Sequence, residues 1–499
     1  MVVLLGDRRF SSHGQAEDGL TVVPELNNCT AQASQQRRIA NGASGRHHNG
    51  LGLYVWLLLG FAVIHEPRGP GRAPSLRSGH SMILQRTALA LVAAWLCLGS
   101  TFCRAEDHVL RTFKKIKITD KFYSEGMAFG DFNHDGKTDV TAGSFWYAGP
   151  EFTTANEFRP AKEFDPKGYS DAFFSFAADF NGDGWDDPLV IGFPGAAAHW
   201  YENPQGKPGP WKQHLALAIV DNESPTFADI TGDGKPELIC HTDGYLGYAE
   251  PDWKDPTKPW SFRQISAKGS WGKFQHGMGF GDVNGDGRND FLMREGWWQQ
   301  PAADSAGEPW KYHQADFGGG GAQMHVYDVD GDGDNDVITS LQAHGYGLVW
   351  FENIKDGAGA IKFKQHLIVG SKPEENKYGV KFSQLHAVDL VDMDGDGLKD
   401  IITGKRYWAH GPGGDAEPAA PAVLYWFKLT RTAAGVEYVP YEIDNDSGVG
   451  TQVMAADVTN DGLADVLVGN KKGHFVFVQE ARKVSAEEWE KAQPKPLTK

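Results

Sequence analysis

The residues best placed to do chemistry form a nine-residue loop, and its clearest copy is Asp328-Val-Asp330-Gly-Asp332-Gly-Asp-Asn-Asp336. Carboxylates stand at loop positions 1, 3, 5 and 9, with Gly333 at position 6. A hard cation takes about six to eight oxygen ligands, and carboxylates alternating along a tight turn converge on one point. The glycine permits the bend that wraps the turn around the ion. Without an ion, carboxylates this close would repel. For a single copy, an Asp/Gly turn held by hydrogen bonds alone would explain the pattern as well. The chain carries seven copies.

They begin at Asp131, Asp179, Asp229, Asp282, Asp328, Asp392 and Asp457. Position 3 is Asn133, Asn181, Thr231, Asn284, Asp330, Asp394 and Thr459. Position 5 is Asp135, Asp183, Asp233, Asp286, Asp332, Asp396 and Asp461, each followed by glycine. Position 9 is Asp139, Asp187, Glu237, Asp290, Asp336, Asp400 and Asp465. This donor set predicts up to seven structural Ca2+ ions, with the weakest binding at the third and seventh loops, where Thr stands at position 3. The formal charge of −17 fits this reading, because seven Ca2+ would offset most of it. An acidic chain also lacks the basic footprint that nucleic acid requires.

The elements that must hold these loops repeat with them. A short apolar strand enters each loop, as in Met127-Ala-Phe-Gly, and another leaves it, as in Asp336-Val-Ile-Thr-Ser. A third is aromatic, as in His199-Trp-Tyr-Glu-Asn and Leu348-Val-Trp-Phe-Glu-Asn. A fourth follows in most units, as in Trp211-Lys-Gln-His and Phe363-Lys-Gln-His. Four short strands per unit, repeated, predict an all-β fold, a seven-bladed β-propeller. The aromatics are read chiefly as packing between blades. The last unit lacks a fourth strand, and Leu110–Ile118 has that character, so the N-terminal strand is expected to close the ring and remove an exposed edge. The segments 355–380 and 410–422 are read as surface loops, and 485–492 as a short helix.

With their flanking strands, the Asp-x-[Asn/Asp]-x-Asp-Gly-x-x-Asp loops resemble FG-GAP or VCBS repeats over about residues 109–480. That resemblance implies the calcium-binding propeller of integrin α subunits and many secreted bacterial proteins. Related propellers serve adhesion and lectin roles. One forms the dehydratase domain of aldos-2-ulose dehydratase, a likeness of fold alone.

In such a propeller the strand entering each loop lines the channel, so its start lies at the face opposite the loops. Six residues before each loop stand Glu125, Phe173, Glu223, His276, Ala322, His386 and Thr451, and His325 stands three before its own loop. Turns of the same face carry Arg294, His241, His344, Lys405 and Arg406, with His410 nearby. The candidate site is therefore Glu125, Glu223, His276, His325 and His386, topped by Arg294, His344, Lys405 and Arg406. Imidazoles and carboxylates together can hold Zn2+ or another divalent metal, or act as acid and base. Carbohydrate is the expected ligand. The enzymatic alternative is a metal-dependent carbohydrate lyase (dehydratase). The other is a non-catalytic adhesion propeller that binds an extracellular protein. No nucleophile motif or nucleotide loop is present.

Residues 1–81 carry no loop copy and read as a disordered or mis-assigned extension. Met82–Ala105 has a charged start, an apolar run from Ala88 to Leu98 and a small-x-small end, the pattern of a signal peptide. The mature chain then begins at Glu106, secreted or periplasmic, with no membrane span and Cys240 as its one cysteine. The propeller is expected over 106–480, with a helix and tail over 481–499.

Overall fold

The computed structural model describes residues 108–302, 308–357 and 359–498. The expected extension over 1–81 and signal peptide over 82–105 lie outside the described residues. All described residues fall in one compact unit.

The fold is all-β, with antiparallel runs of four strands. The N-terminal strand is β1 (His108–Thr119). The first run is β2 (Ala128–Gly130), β3 (Asp139–Ala142), β4 (Phe145–Tyr147) and β5 (Ala155–Glu157). Next come β6 (Phe174–Ala178), β7 (Asp187–Ile191), β8 (Ala196–Glu202) and β9 (Lys212–Ala228). The long β9 serves two runs: Lys212–Val220 pairs with β8, and Asp221–Ala228 pairs with β10 (Glu237–Thr242). That third run ends with β11 (Tyr245–Glu250) and β12 (Ser261–Gln264). Then follow β13 (Met278–Gly281), β14 (Asp290–Met293), β15 (Gly296–Gln299) and β16 (Lys311–Gln314). The next run is β17 (Gln323–Tyr327), β18 (Asp336–Ser340), β19 (Leu348–Lys355) and β20 (Ile361–Val369). After it come β21 (Val388–Val391), β22 (Asp400–Gly404), β23 (Leu424–Thr432) and β24 (Gly435–Asp444). The last strands are β25 (Val453–Ala456), β26 (Asp465–Asn470) and β27 (Gly473–Val484).

β1 completes that last sheet by pairing along β27, from His108↔Val484 to Thr119↔His474, as its sequence character predicts. The first strands of neighbouring runs approach side by side. β13 and β17 pair in parallel, so closely that a Cβ on Gly279 would lie 1.8 Å from the Met324 carbonyl oxygen. Only glycine fits there.

Apolar faces meet between successive sheets. Ile239 and Leu246 pack with Met278 and Phe291, and Ile402 and Trp426 pack with Val466 and Phe475. Met127, Val140 and Tyr147 of the first run pack against Leu467 and Val476 of the last. Each fully buried aliphatic side chain contributes about 1.5–3 kcal/mol. The aromatic strands pack as expected. Trp200, Trp297 and Trp350 stack on His214, His313 and His366 at 4.2, 4.0 and 4.2 Å. These fourth-strand histidines are thereby structural.

Two expectations need correction. Segment 355–380 is not only loop, because it contains β20 and a short 3-10 turn at Pro373–Glu375. The final strand also runs past 480, to Val484. The predicted helix forms as α1 (Ala486–Ala492), capped by the Ser485 side chain, which accepts from the Glu488 N–H. Among the described residues, no helix is long and apolar enough to cross a membrane, and Cys240 is buried and free.

Candidate functional site

The nine-residue loops join the first and second strands of each run, and backbone hydrogen bonds set their shape. In the first loop, Asp131 accepts the N–H of Asp135 at 3.1 Å and of Gly136 at 2.9 Å. The second, third, fourth, sixth and seventh loops repeat this pattern. The glycine at position 6 has positive φ, +93° at Gly333, which an L side chain rarely adopts.

Position 9 plays a different part from positions 1, 3 and 5. Asp187 is fully buried, and it accepts from Phe180 N–H at 3.2 Å and Asn203 N–H at 2.7 Å. Asp290, Asp336, Asp400 and Asp465 make the same two kinds of bond. Amides then tie each loop to its neighbour. Asn203 Nδ2 donates to the Phe132 carbonyl, Gln300 to Ile230 and Asn353 to Val283, at 2.8, 3.2 and 3.0 Å.

Burial pushes the position-9 carboxyls up, to about 6 for Asp139 and Asp465, about 7 for Glu237, Asp290, Asp336 and Asp400, and about 8 for Asp187. A nearby cation would offset that cost. Carboxylate oxygens of Asp229, Asp233 and Glu237 lie within 4.8 Å of one another, as do those of Asp328, Asp330 and Asp332 and those of Asp392, Asp394 and Asp400. In the sixth loop the Lys428 ammonium already bridges Asp394 and Asp396. That counter-charge comes from β23 and has no signature in the loop itself.

A second constellation lies at the other end of the first strands. His276 precedes β13 and His386 precedes β21, while His344 sits on the turn between β18 and β19. Their Nε2 atoms converge: His276 is 3.2 Å from His386 and 3.2 Å from His344. Three imidazoles on a tetrahedral metal with bonds of about 2.0–2.1 Å would hold their nitrogens roughly 3.3 Å apart. Glu223 Oε2 stands 3.1 Å from His386 Nε2 and 3.5 Å from His276 Nε2. It is placed by the Glu223 N–H, which donates to the Gln275 carbonyl at 2.9 Å.

Arg406 anchors this arrangement. It is buried on the turn after β22, its backbone N–H donating to Gln384. Its guanidinium pairs with Glu125, and Nη1 lies 3.6 Å from Glu223. Glu125 is tied to the last run, its carbonyl accepting the Thr451 N–H at 2.9 Å. Asp415 stands behind the imidazoles, accepting from His410 Nδ1 at 2.8 Å and lying 3.5 Å from His344 Nδ1. A carboxylate behind a metal-binding imidazole fixes its orientation.

The electrostatics suit a cation. Burial, reinforced by Arg406, holds His386 well below the usual imidazole range, so its ring is neutral. Burial and the neighbouring His276 bring His344 down to about 4. Burial opposes ionisation of Glu223, but hydrogen bonds from His276 and His386 outweigh it and keep the carboxylate ionised. Lys405 donates to Ser383 Oγ at 3.0 Å, and burial lowers it to about 8. Lys471 is also lowered to about 8 by burial, and its buried Nζ has no hydrogen-bond partner.

Of the predicted set, Glu125, Glu223, His276, His386 and Arg406 come together. His325 does not. It lies within β17, and its Nε2 is 3.0 Å from the Val388 carbonyl, so it staples neighbouring strands. His344 takes its place among the imidazoles instead of standing above them. Arg294 also falls outside the cluster, held by Glu295 at 2.7 Å and the Gly319 carbonyl at 2.8 Å. His241 is buried in β10 with neither ring nitrogen bonded. Sequence reasoning missed Asp415, because segment 410–422 reads as a surface loop although it delivers this carboxylate behind His344. Lys471 was equally hidden, on the turn between β26 and β27.

Residues 156–240 match the model of the FG-GAP-like repeat. No curated protein matches the chain. Among solved structures, it is similar to rhamnogalacturonan lyase YesW, at 13% identity and TM-score 0.36, over 74% of this chain and 72% of that one. It is similar to an Agrocybe aegerita lectin that recognises non-reducing terminal N-acetylglucosamine, at 16% identity and TM-score 0.29, over 77% of this chain and 85% of that one. A third likeness is to the Photorhabdus luminescens Tc holotoxin pore, at 16% identity and TM-score 0.31, where 60% of this chain spans 13% of the toxin chain.

Proposed function

We propose that this chain, which carries an FG-GAP-like repeat, is a secreted, calcium-stabilised, seven-bladed β-propeller with a divalent transition-metal site at one channel mouth. We assign that site to a carbohydrate lyase (dehydratase) reaction. The observation that carries the reading is the convergence of His276, His344 and His386 through their Nε2 atoms, with Glu223 beside them. The pairing of β1 on β27 and the Met127–Leu467 cluster between first and last runs support a closed ring. The signal-peptide pattern in the sequence of residues 82–105 supports secretion.

His276, His344 and His386 would hold the ion, with Asp415 orienting His344. When bound, a divalent ion polarises a carbonyl oxygen and stabilises charge developing there. Glu223, ionised beside the imidazoles, accepts the proton from the carbon next to that carbonyl; the enolate then expels the hydroxyl of the following carbon, and Glu223 returns the proton to it so that it leaves as water. Arg406 keeps Glu223 in place. Arg406 supplies positive charge for the enolate oxygen, and that charge is worth more in a buried site than in water, while Lys405, held on Ser383, stands outside the cluster.

Metal analysis of the purified protein, saturated with calcium and then titrated with Zn2+, tests the site. About one tightly held Zn2+ per chain is expected, and none in His276→Ala/His386→Ala. Equal zinc in both proteins would sink the assignment. The reaction is tested with a 2-keto sugar, by following ultraviolet absorbance of the enone that water loss creates.

At the calcium loops, Asp332→Ala is expected to destabilise by on the order of 2 kcal/mol in saturating calcium. Asp233→Ala in the Thr-containing third loop should cost clearly less, since Thr231 is a weak donor turned toward Asp229 and Glu237. Equal shifts in thermal melts would remove the ranking of loops by their position-3 residue.

A further inference from the structure

Among the large apolar side chains exposed on the described residues, two belong to one aromatic ledge. Tyr169 is 37% exposed and Phe274 is 48% exposed. Phe193 joins them, its ring 5.1 Å from Tyr169 and 5.5 Å from Phe274. The ledge leads to the imidazole cluster at both ends. Phe274 lies two residues before His276 in the segment paired with the Asn222–Glu223 backbone. Phe173 packs on Phe193 at 5.2 Å and carries the Arg406 guanidinium 5.8 Å above its ring. The Lys471 ammonium, without a hydrogen-bond partner, stands 4.7 Å over Tyr169.

A groove of about 990 Å3 runs along the Tyr169 end, lined also by Phe193, Arg159, Asp171, His199 and Gln213. That is near the upper limit of the roughly 300–1,000 Å3 found for small-molecule pockets. Packing explains buried aromatics. It does not explain two exposed rings, Tyr169 and Phe274, bridged by the half-buried Phe193 beside polar side chains. A pyranose ring has an apolar C–H face that stacks on such rings and hydroxyl edges that need polar partners. Arg159, Asp171 and Gln213 supply both donors and acceptors, with Arg159 held on Asp171 at 2.7 Å.

We propose that the Tyr169–Phe193–Phe274 ledge is a subsite for pyranose rings, so that the ligand is an oligo- or polysaccharide chain rather than a single sugar. This inference rests on the carbohydrate reading of the adjoining site and extends it to chain length.

Affinity gel electrophoresis in soluble starch, xylan, mixed-linkage β-glucan, pectin and galactomannan tests the subsite. The protein should be retarded by at least one of these. Tyr169→Ala/Phe274→Ala should bind it roughly 25-fold more weakly, since truncating each aromatic anchor costs on the order of fivefold. The variant should keep its zinc and its melting temperature, because both side chains are exposed. A glucose, xylose, galactose, mannose or galacturonic acid monomer should not compete. Retardation by none of the polymers, or equal retardation of the variant, would overturn the subsite. So would a monomeric variant of an oligomeric parent in sedimentation velocity, which would make the ledge a protein contact. If the parent is retarded but binds no zinc, the metal assignment falls and the ledge stands.

Discussion

Chelating calcium at about pH 8 is expected to lower the melting temperature by about 10 °C or more, and the loss should shrink as pH falls toward 5. The first part follows from mass action, because ions that bind only the folded chain stabilise it, by about 2.7 kcal/mol per site at a hundredfold excess over Kd. The second part follows from the position-9 carboxyls. Their folded pKa values of about 6 to 8 lie above the ordinary values of about 4 that hold in the unfolded chain. The folded, calcium-free protein therefore binds more protons than the unfolded chain between those limits. Stability from these groups is full below the unfolded values and is lost as pH rises through the folded ones. Calcium beside them supplies the charge that burial removes, so the loaded protein should vary little over the same span. Melts with and without chelator across about pH 5 to 8.5 provide the check. A melting temperature indifferent to chelator at every pH would end the calcium account.

Replacing Arg406 with Met should destabilise the protein by about 3–5 kcal/mol, because it strands buried carboxylates without their counter-charge. Arg406 and Glu125 have side chains only 2% and 1% exposed, and Glu223 shares the same guanidinium. Adding Glu125→Gln to Arg406→Met should recover part of the loss, since it removes one of the stranded charges. Denaturant melts of the two single variants and the double variant measure this coupling. A loss below about 1 kcal/mol, or strictly additive effects, would show that Arg406 does not hold the mouth together. Arg406→Met should also weaken zinc binding, because Glu223 beside the imidazoles would lose its orienting partner.

Much of the fold was legible because its determinants are local. Alternating carboxylates around glycine specify the turn whatever surrounds it. Apolar residues before and after it specify two strands, and aromatic runs a third. The unpaired character of Leu110–Ile118 pointed to a partner elsewhere, and β27 supplies it. Position 9 was read only as a ligand. Its second task, accepting backbone N–H groups while buried, depends on the third strand folding over it.

The candidate site was legible in half. Counting back from each loop found Glu125, Glu223, His276 and His386, because residues at one register of a repeat reach one end of the fold. Spacing alone places both His325, three residues before its loop, and His344, on a turn, at the same mouth, and could not separate them. His325 lies inside a strand, where its ring reaches the Val388 carbonyl of the next inner strand. His344 lies on a turn, free to hang over the first-strand ends. Asp415 comes from an irregular insertion whose path no periodicity describes.

The sequence by itself determined the loops, the repeated strands and the register that points His276 and His386 to one end. Those follow from interactions within a single turn or hairpin. Only the tertiary structure decided which imidazoles meet, which carboxylate stands behind them and which lysines lose their water. Their partners come from different sheets, and the distances between sheets are set by side-chain packing between them rather than by spacing along the chain.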